Sequence, residues 1–263
     1  MPQPIPIAIG VLSFNHPDLT ARCLRSVLKL CDPSDVTLMH NGSRPEVEDR
    51  LRDEFSNISH LTLAKNIGFS GGANALLNSI FNAESSKNGT AEWAFLITND
   101  CELLVLTPPP AIGGFYAPLI YRRSTEKVDS IGGRFRPLTG RLRHRRSLTE
   151  TRAESWQRRI FKEFFYVPGT AFCVHREAWR KLGGFDESLH TYWEDVDLSV
   201  RAQNLEVKLG TWPETVLKHG IGKTCHKDKF YTQHLFRRNR AIVSRRHTSA
   251  WLRPIQSLLR LTR

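Results

Sequence analysis

The chain has 263 residues, 40% of them hydrophobic and 24% charged, with 38 Lys and Arg against 26 Asp and Glu, a formal net charge of +12. A chain of this length buries roughly 70–75% of its unfolded surface, so it needs neither disulfides nor a structural metal to hold a core, and its composition excludes wholesale disorder. The charge favours a polyanionic partner: nucleic acid, an anionic membrane surface or a phosphorylated substrate.

Residues 5–14 are apolar and β-branched at their start and predict a buried strand, broken by Asn15-His16-Pro17-Asp18. Leu19, Cys23, Val27 and Leu30 then recur at helical spacing. Residues 36–39 predict a second strand ending in His40-Asn41-Gly42-Ser43, and residues 46–55 a helix. Residues 61–64 predict a third strand closed by a Gly-rich turn, residues 72–81 a helix, and residues 93–98 a fourth strand ending at Asn99-Asp100. This alternation predicts an α/β fold with a mostly parallel central sheet flanked by helices. Ligands in such sheets bind beyond the carboxyl ends of the strands, here at Ser13 to Asn15, His40 to Ser43, Asn66 to Asn74 and Thr98 to Asp100.

The second half is less regular. Residues 134–159 hold nine arginines and predict an exposed, mobile loop or hairpin. Residues 164–174 predict a strand interrupted at Pro168-Gly169, residues 176–182 a helix stopped by Gly183-Gly184, and residues 192–204 a helix with acids at its start. Residues 229–263 contain no acid and eight arginines. The five cysteines are odd in number and lack any Cys-x-x-Cys pair, which points to reduced thiols in a cytoplasmic chain, most of them core filler. Residues 1–6 read as the approach to a strand and not as a signal peptide, and no apolar run approaches the roughly 18 residues of a membrane span.

Four constellations carry chemistry. Glu194-Asp195-Val196-Asp197 sets three carboxylates within four positions, downstream of Gly183-Gly184-Phe185-Asp186-Glu187. Asp197 lies four residues before Arg201, the spacing of a structural ion pair on one helix face. Glu194 and Asp195 point elsewhere, and a carboxylate in a cleft can act as general base on a hydroxyl. Asn66-Ile67-Gly68-Phe69-Ser70-Gly71-Gly72-Ala73-Asn74 follows a strand and opens a helix, where glycines and a helix N-terminus can receive a diphosphate. It is neither a Walker A loop nor a proper G-x-G-x-x-G. Asp100, at a strand end, can hold a divalent cation against substrate phosphates. His219, before Gly220-Ile221-Gly222-Lys223, can bind metal or phosphate.

In this order the motifs resemble family 2 glycosyltransferases of the GT-A fold, especially the bacterial rhamnosyltransferase-like branch, over about residues 5–240. The resemblance rests on Ser13-Phe14-Asn15, Asn41-Gly42-Ser43, the run from Asn66 to Asn74, Thr98-Asn99-Asp100, Gly183 to Glu187, Glu194 to Leu198 and His219. It implies inverting transfer of a sugar from a nucleotide-diphosphate donor, with Mn²⁺ or Mg²⁺ as cofactor. Asp195 then matches the catalytic base, with Glu194 orienting or supporting it; Asp100 matches the last acid of the metal-binding D-x-D motif, and His219 can join the metal. Donor-binding candidates are Ser13, Asn15, Asn41, Asn66, Gly68, Gly71, Gly72, Asn74, Asn99 and Lys223. Two positions depart from the family pattern: His40 stands where an Asp commonly contacts the nucleobase, and Thr98 takes the first place of the D-x-D motif.

The expected layout is a GT-A domain over residues 1–240, divided into a nucleotide-sugar half (1–105) and an acceptor and catalytic half (106–240), followed by a basic amphipathic tail (241–263). The arginine-rich parts suit an anionic or lipid-linked glycan acceptor, as in cell-surface polysaccharide, lipopolysaccharide or glycolipid synthesis. In the tail, Trp251, Ile255, Leu258 and Leu259 form one helical stripe. It either packs on the catalytic domain or meets an anionic membrane surface, the latter placing the protein on the inner face of the cytoplasmic membrane. The alternatives are a sugar-nucleotide-binding protein that has lost catalysis and a basic nucleic-acid-binding protein. The second lacks any helix-turn-helix, zinc-finger or aromatic RNA-binding signature.

Overall fold

The computed structural model describes residues 7–82, 91–147, 162–220 and 229–261. Four parallel strands open the fold: β1 (Ile7–Ser13), β2 (Val36–Asn41), β3 (Ser59–Leu63) and β4 (Trp93–Thr98). They stand in the order β3-β2-β1-β4, with α1 (Pro17–Val27), α2 (Pro45–Glu54) and α3 (Gly68–Asn82) as crossovers. All four strand ends named from the sequence therefore lie at one edge of the sheet.

Beyond β4 the sheet becomes mixed. The strands are β5 (Cys101–Val105), β6 (Phe115–Arg122), β7 (Val128–Ser130), β11 (Ala171–His175) and β12 (Leu209–His219). Strand β11 runs antiparallel between β4 and β6, β12 pairs parallel with β6 and antiparallel with β5, and β7 pairs with β6. A second, three-stranded antiparallel sheet holds β8 (Gly133–Arg136), β9 (Arg141–His144) and β10 (Phe164–Tyr166). The break at Pro168-Gly169 thus carries the chain from the small sheet at β10 to the large one at β11. Hairpin β8–β9 occupies part of the arginine-rich stretch; its residues 148–159 lie outside the described residues.

Two apolar layers sandwich the large sheet. Ile9 and Val11 pack with Leu24, Val27 and Leu51 of α1 and α2 on one face. Leu12 and Met39 pack with Leu76 and Leu77 of α3 on the other, beside Trp179 of α4 (Arg176–Leu182) and Leu198 of α5 (Glu194–Asn204). Cys23, Cys101 and Cys173 are buried in this core. A third cluster joins the small sheet, α5 and α6 (Lys229–His247) through Phe135, Trp193, Val200 and Val243. The single helix α6 runs across the expected division at residue 240, and α7 (Arg253–Leu261) follows it. Among the described residues, no helix is long and apolar enough to cross a membrane.

Candidate active site

The carboxyl ends of β1, β2 and β4 open on a cavity of about 440 Å³. Of the residues singled out in the sequence, Ser13, Asn41, Asn66, Gly68, Asn99, Asp100, Glu194, Asp195 and His219 line it. They come from five elements and their loops, spread over more than 200 positions of the chain.

At one part of the wall, Asp100 Oδ2 lies 3.3 Å from Nε2 of His219, the last residue of β12. The other Asp100 oxygen accepts the Thr98 hydroxyl at 2.8 Å. His219 Nδ1 is 3.7 Å from Asp129 Oδ2, and Asp129 Oδ1 accepts Arg122 Nε at 2.8 Å. Burial pushes the imidazole of His219 down, but the adjacent carboxylates of Asp100 and Asp129 outweigh it and raise it to about 9. The neighbouring His219, aided by the hydrogen-bonded Arg122, holds Asp129 at about 2 against its burial. Asp129 carries no sequence motif; only the pairing of β7 with β6 brings it here.

Among the described residues no group of three or more His, Cys, Asp or Glu side chains is placed to hold a metal ion. Asp100 and His219 are two donors on the cavity wall. That set fits a cation such as Mn²⁺ or Mg²⁺, which takes its remaining ligands from substrate phosphates and water.

Glu194 and Asp195 form the second reactive group, at the start of α5. Tyr192 and Trp193 both have φ 72° and His190 has φ 60°, a left-handed stretch uncommon for such residues, so α5 begins two residues later than the sequence pattern suggests. Asn239 of α6 fixes that stretch: its buried amide donates to the carbonyls of Leu189 (2.6 Å), Thr191 (3.0 Å) and Tyr192 (2.9 Å). Asp195 accepts the N–H groups of Gly169 at 3.0 Å and Val196 at 2.8 Å. Glu194 is buried, and its Oε2 has no hydrogen-bond partner. Burial, then the charge of Asp195, raises Glu194 well above the usual carboxylate range; burial also raises Asp195, against the pull of its two backbone donors. Only Asp195 has backbone N–H groups from other residues that favour its charged form. Asp197, as expected, turns away into an ion pair with Arg201 at 2.9 Å, joined by Arg246 and His247 at 2.8 Å each.

Two wall residues escaped the sequence reading. Tyr166 of β10 and His144 of β9 lie 3.0 Å apart, hydroxyl to Nδ1. Burial lowers His144, opposed by the charges of Asp129 and Asp195, so it belongs electrostatically to both carboxylate groups. His144 sits in an arginine run without any motif, and only the small sheet carries it to the cavity.

The Gly-rich segment differs from expectation. It is the first two turns of α3, and its leading amides are already used: Gly68 N–H donates to Asn66 Oδ1 (2.8 Å), Phe69 to Thr191 Oγ1 (3.2 Å) and Ser70 to the His190 carbonyl (3.0 Å). The helix start therefore has none of these three N–H groups to offer a diphosphate. Gly71 and Gly72 do not line the cavity; a Cβ on Gly72 would meet Asn41 Nδ2 at 2.7 Å, and one on Gly71 would meet Ile67 Cδ1 at the same distance. Asn74 is also outside it, with its amide bound to the backbone of Phe185 and to Glu187. Gly68, at φ +80°, presses on His190 so closely that a side chain has no room. Asn41 clamps the turn before α3, donating to Gly68 O at 2.8 Å and accepting Ile67 N–H at 3.2 Å. Asn15 ties the ends of β1 and β2 together by accepting from Arg44 N–H and donating its own N–H to Ser43 Oγ; it does not line the cavity. His40 is fully buried against His60, Nε2 to Nδ1 3.1 Å, also off the wall. Lys223 lies outside the described residues.

No protein-family model matches the sequence, and no curated protein matches it. The fold, however, is shared with solved structures. GalNAc-T7 with UDP, GalNAc and Mn²⁺ superposes with a TM-score of 0.65 at 14% identity, covering 92% of this chain and 48% of that one. The chain thus spans about half the length of that protein. The mannosyltransferase PcManGT from Pyrobaculum calidifontis, in complex with GDP-Man and Mn²⁺, gives 0.51 at 12% identity, covering 97% and 75%. S. aureus TarS gives 0.51 at 10% identity, covering 82% and 36%. The likeness gives the chain the GT-A fold.

Proposed function

We propose that this protein is an inverting glycosyltransferase that moves a sugar from a nucleotide-diphosphate donor to an acceptor hydroxyl. The observation that carries this reading is one cavity, at the carboxyl edge of the parallel strands, walled by both the Asp100–His219 pair and the Glu194–Asp195 pair. Inversion requires a base on the face of the anomeric carbon opposite the leaving diphosphate, and positive charge on that diphosphate. Asp195 is the base: Gly169 and Val196 hold its carboxylate in one orientation, and it takes the acceptor hydroxyl proton. Glu194, the residue before it, supports Asp195 from the same turn of α5. His144, with Tyr166 on its Nδ1, lines the same wall and orients the acceptor.

Mn²⁺ or Mg²⁺ held by Asp100, His219 and the diphosphate would supply the positive charge for the leaving group. His219 presents its imidazole there with Asp129 behind its other nitrogen, and a cation bound to it would take the place of its proton. Of the donor-binding candidates, Ser13, Asn66 and Asn99 also stand on this wall, Ser13 and Asn99 hydrogen-bonded to each other and to Thr20. The presence of UDP and GDP-Man in structures of like fold supports a nucleotide-sugar donor. The arginines of the β8–β9 hairpin, which borders the cavity through Leu142 and His144, favour an anionic or lipid-linked glycan acceptor. Acceptors of that kind belong to cell-surface polysaccharide, lipopolysaccharide or glycolipid synthesis, which is the setting we propose.

The test is a panel of nucleotide sugars screened for binding with and without Mn²⁺, followed by mass analysis of products on anionic and lipid-linked glycans. Binding of one donor and a product heavier by one sugar is expected. Donor binding without any turnover would replace the reading by that of a sugar-nucleotide-binding protein. Retention of random-sequence DNA with no donor bound would replace it by nucleic-acid binding.

A further inference from the structure

The C-terminal helices present an apolar stripe that the rest of the fold leaves uncovered. Helix α7 and the short turn before it are anchored by one side only. Leu252 is buried, and one turn on the buried amide of Gln256 donates to Pro137 O (2.9 Å), Ser244 O (3.2 Å) and Thr248 Oγ1 (2.8 Å). Trp251, Ile255 and Leu258 follow the i, i+4, i+7 spacing of a different side and are 67%, 45% and 65% exposed. Of the two fates open to this stripe, packing on the domain is therefore not the one observed for these three residues. They are not scattered survivors of an ordinary surface either. Among the described residues eleven large hydrophobic side chains are exposed, and six of them fall between Phe230 and Leu258.

Charge decides what covers the stripe. Residues 229–263 hold eight arginines, one lysine and no acid. Arg237, Arg245 and Arg253 are exposed and form no ion pair among the described residues. A second copy of the same face would bring like charges together. A nucleic acid would satisfy the arginines but give Trp251 and Leu258 no apolar depth to enter. An anionic lipid surface satisfies both. We propose that α7 lies in the interface of an anionic bilayer, with Trp251, Ile255 and Leu258 entering the headgroup boundary while Arg237, Arg245 and Arg253 supply the positive charge that lipid phosphates attract. The surface binds independently of sugar transfer, so its test needs no turnover.

The experiment is co-sedimentation of the full chain with phosphatidylcholine vesicles with and without phosphatidylglycerol, alongside the triple variant W251S/I255S/L258S. Sedimentation velocity and circular dichroism of both proteins are recorded without lipid. All three positions are exposed, so the variant is expected to keep the wild-type circular dichroism. The wild type should partition onto phosphatidylglycerol vesicles about tenfold or more better than onto neutral ones, and leave them as salt rises. The variant should lose about tenfold of that binding. No binding to phosphatidylglycerol vesicles at low salt, or equal binding by variant and wild type, would overturn the proposal. So would a wild-type oligomer in lipid-free buffer that becomes monomeric in the variant, because the stripe would then be a contact between copies.

Discussion

At the residue scale, the two neighbouring acids differ in what they accept. Asp195 has two backbone N–H groups on its carboxylate, whereas Glu194 Oε2 has none. An amide side chain in place of Asp195 keeps the shape but cannot take a proton. Asp195→Asn should lower transfer about 10²–10⁴-fold, the usual cost of losing a general base, and leave donor affinity near wild type. Steady-state turnover with calorimetric donor binding checks this; near-normal turnover would remove Asp195 from the role. Asp100 makes a separate demand. Asp100→Ala should weaken donor binding when Mn²⁺ is present and change it little under chelation, because the carboxylate would act through the cation. Equal losses in both titrations would assign Asp100 to the fold instead.

At the element scale, α6 is the clamp that holds the loop leading into Glu194 and Asp195. Asn239 collects three carbonyls from residues 189–192, and Arg246 reaches both Asp186 and Asp197 at 2.8 Å. The backbone it secures is left-handed at three non-glycine residues and would relax without it. Asn239→Leu leaves buried carbonyls without donors, at about 1–3 kcal/mol for each group left unsatisfied. We expect a lower Tm and a fall in transfer larger than the fall in donor affinity, since Glu194 and Asp195 follow directly on that loop. Thermal unfolding with the same kinetic assay reads both. A variant as stable and active as wild type would show that the loop holds its own shape.

At the scale of the whole molecule, stability against acid follows from two buried groups of opposite type. Burial pushes Asp197 up, but hydrogen bonds and charges from His247, Arg201 and Arg246 bring it from 3.8 to about 2. Its contribution, roughly 2 kcal/mol at about 1.4 kcal/mol per unit, is complete above pH 4 and is lost as pH falls through about 2. Burial, then His60 and Arg52, lowers His40 from 6.5 to about 4. The folded protein keeps it neutral while the unfolded chain takes a proton, so stability also declines from about pH 6.5 down to 4. Denaturant unfolding across this range should therefore show two successive losses. The later one should disappear in Asp197→Asn, which is itself destabilised because Arg201 and Arg246 are left around a neutral amide.

Local order made much of this protein legible before folding. The strand–helix alternation of residues 7–98 is set by hydrophobic period and by turn residues a few positions apart. The polar strand ends follow from it, because a parallel sheet leaves those ends open at one edge. The Asp197–Arg201 pair is a matter of one helical turn. Tertiary structure decided what depends on distant partners. Strand β11 entered beside β4 by pairing across more than 70 residues, which turned the second half of the sheet mixed. Asp129 came to lie behind His219, His144 joined the wall and Asn239 became a clamp only when β7, the small sheet and α6 brought them in. The Gly-rich segment shows the limit most directly. By sequence it is a helix start suited to phosphate, yet Thr191, 122 residues away, takes the N–H of Phe69, and His190 that of Ser70. Whether a backbone donor is free is a property of everything packed around it, and no window of sequence contains that.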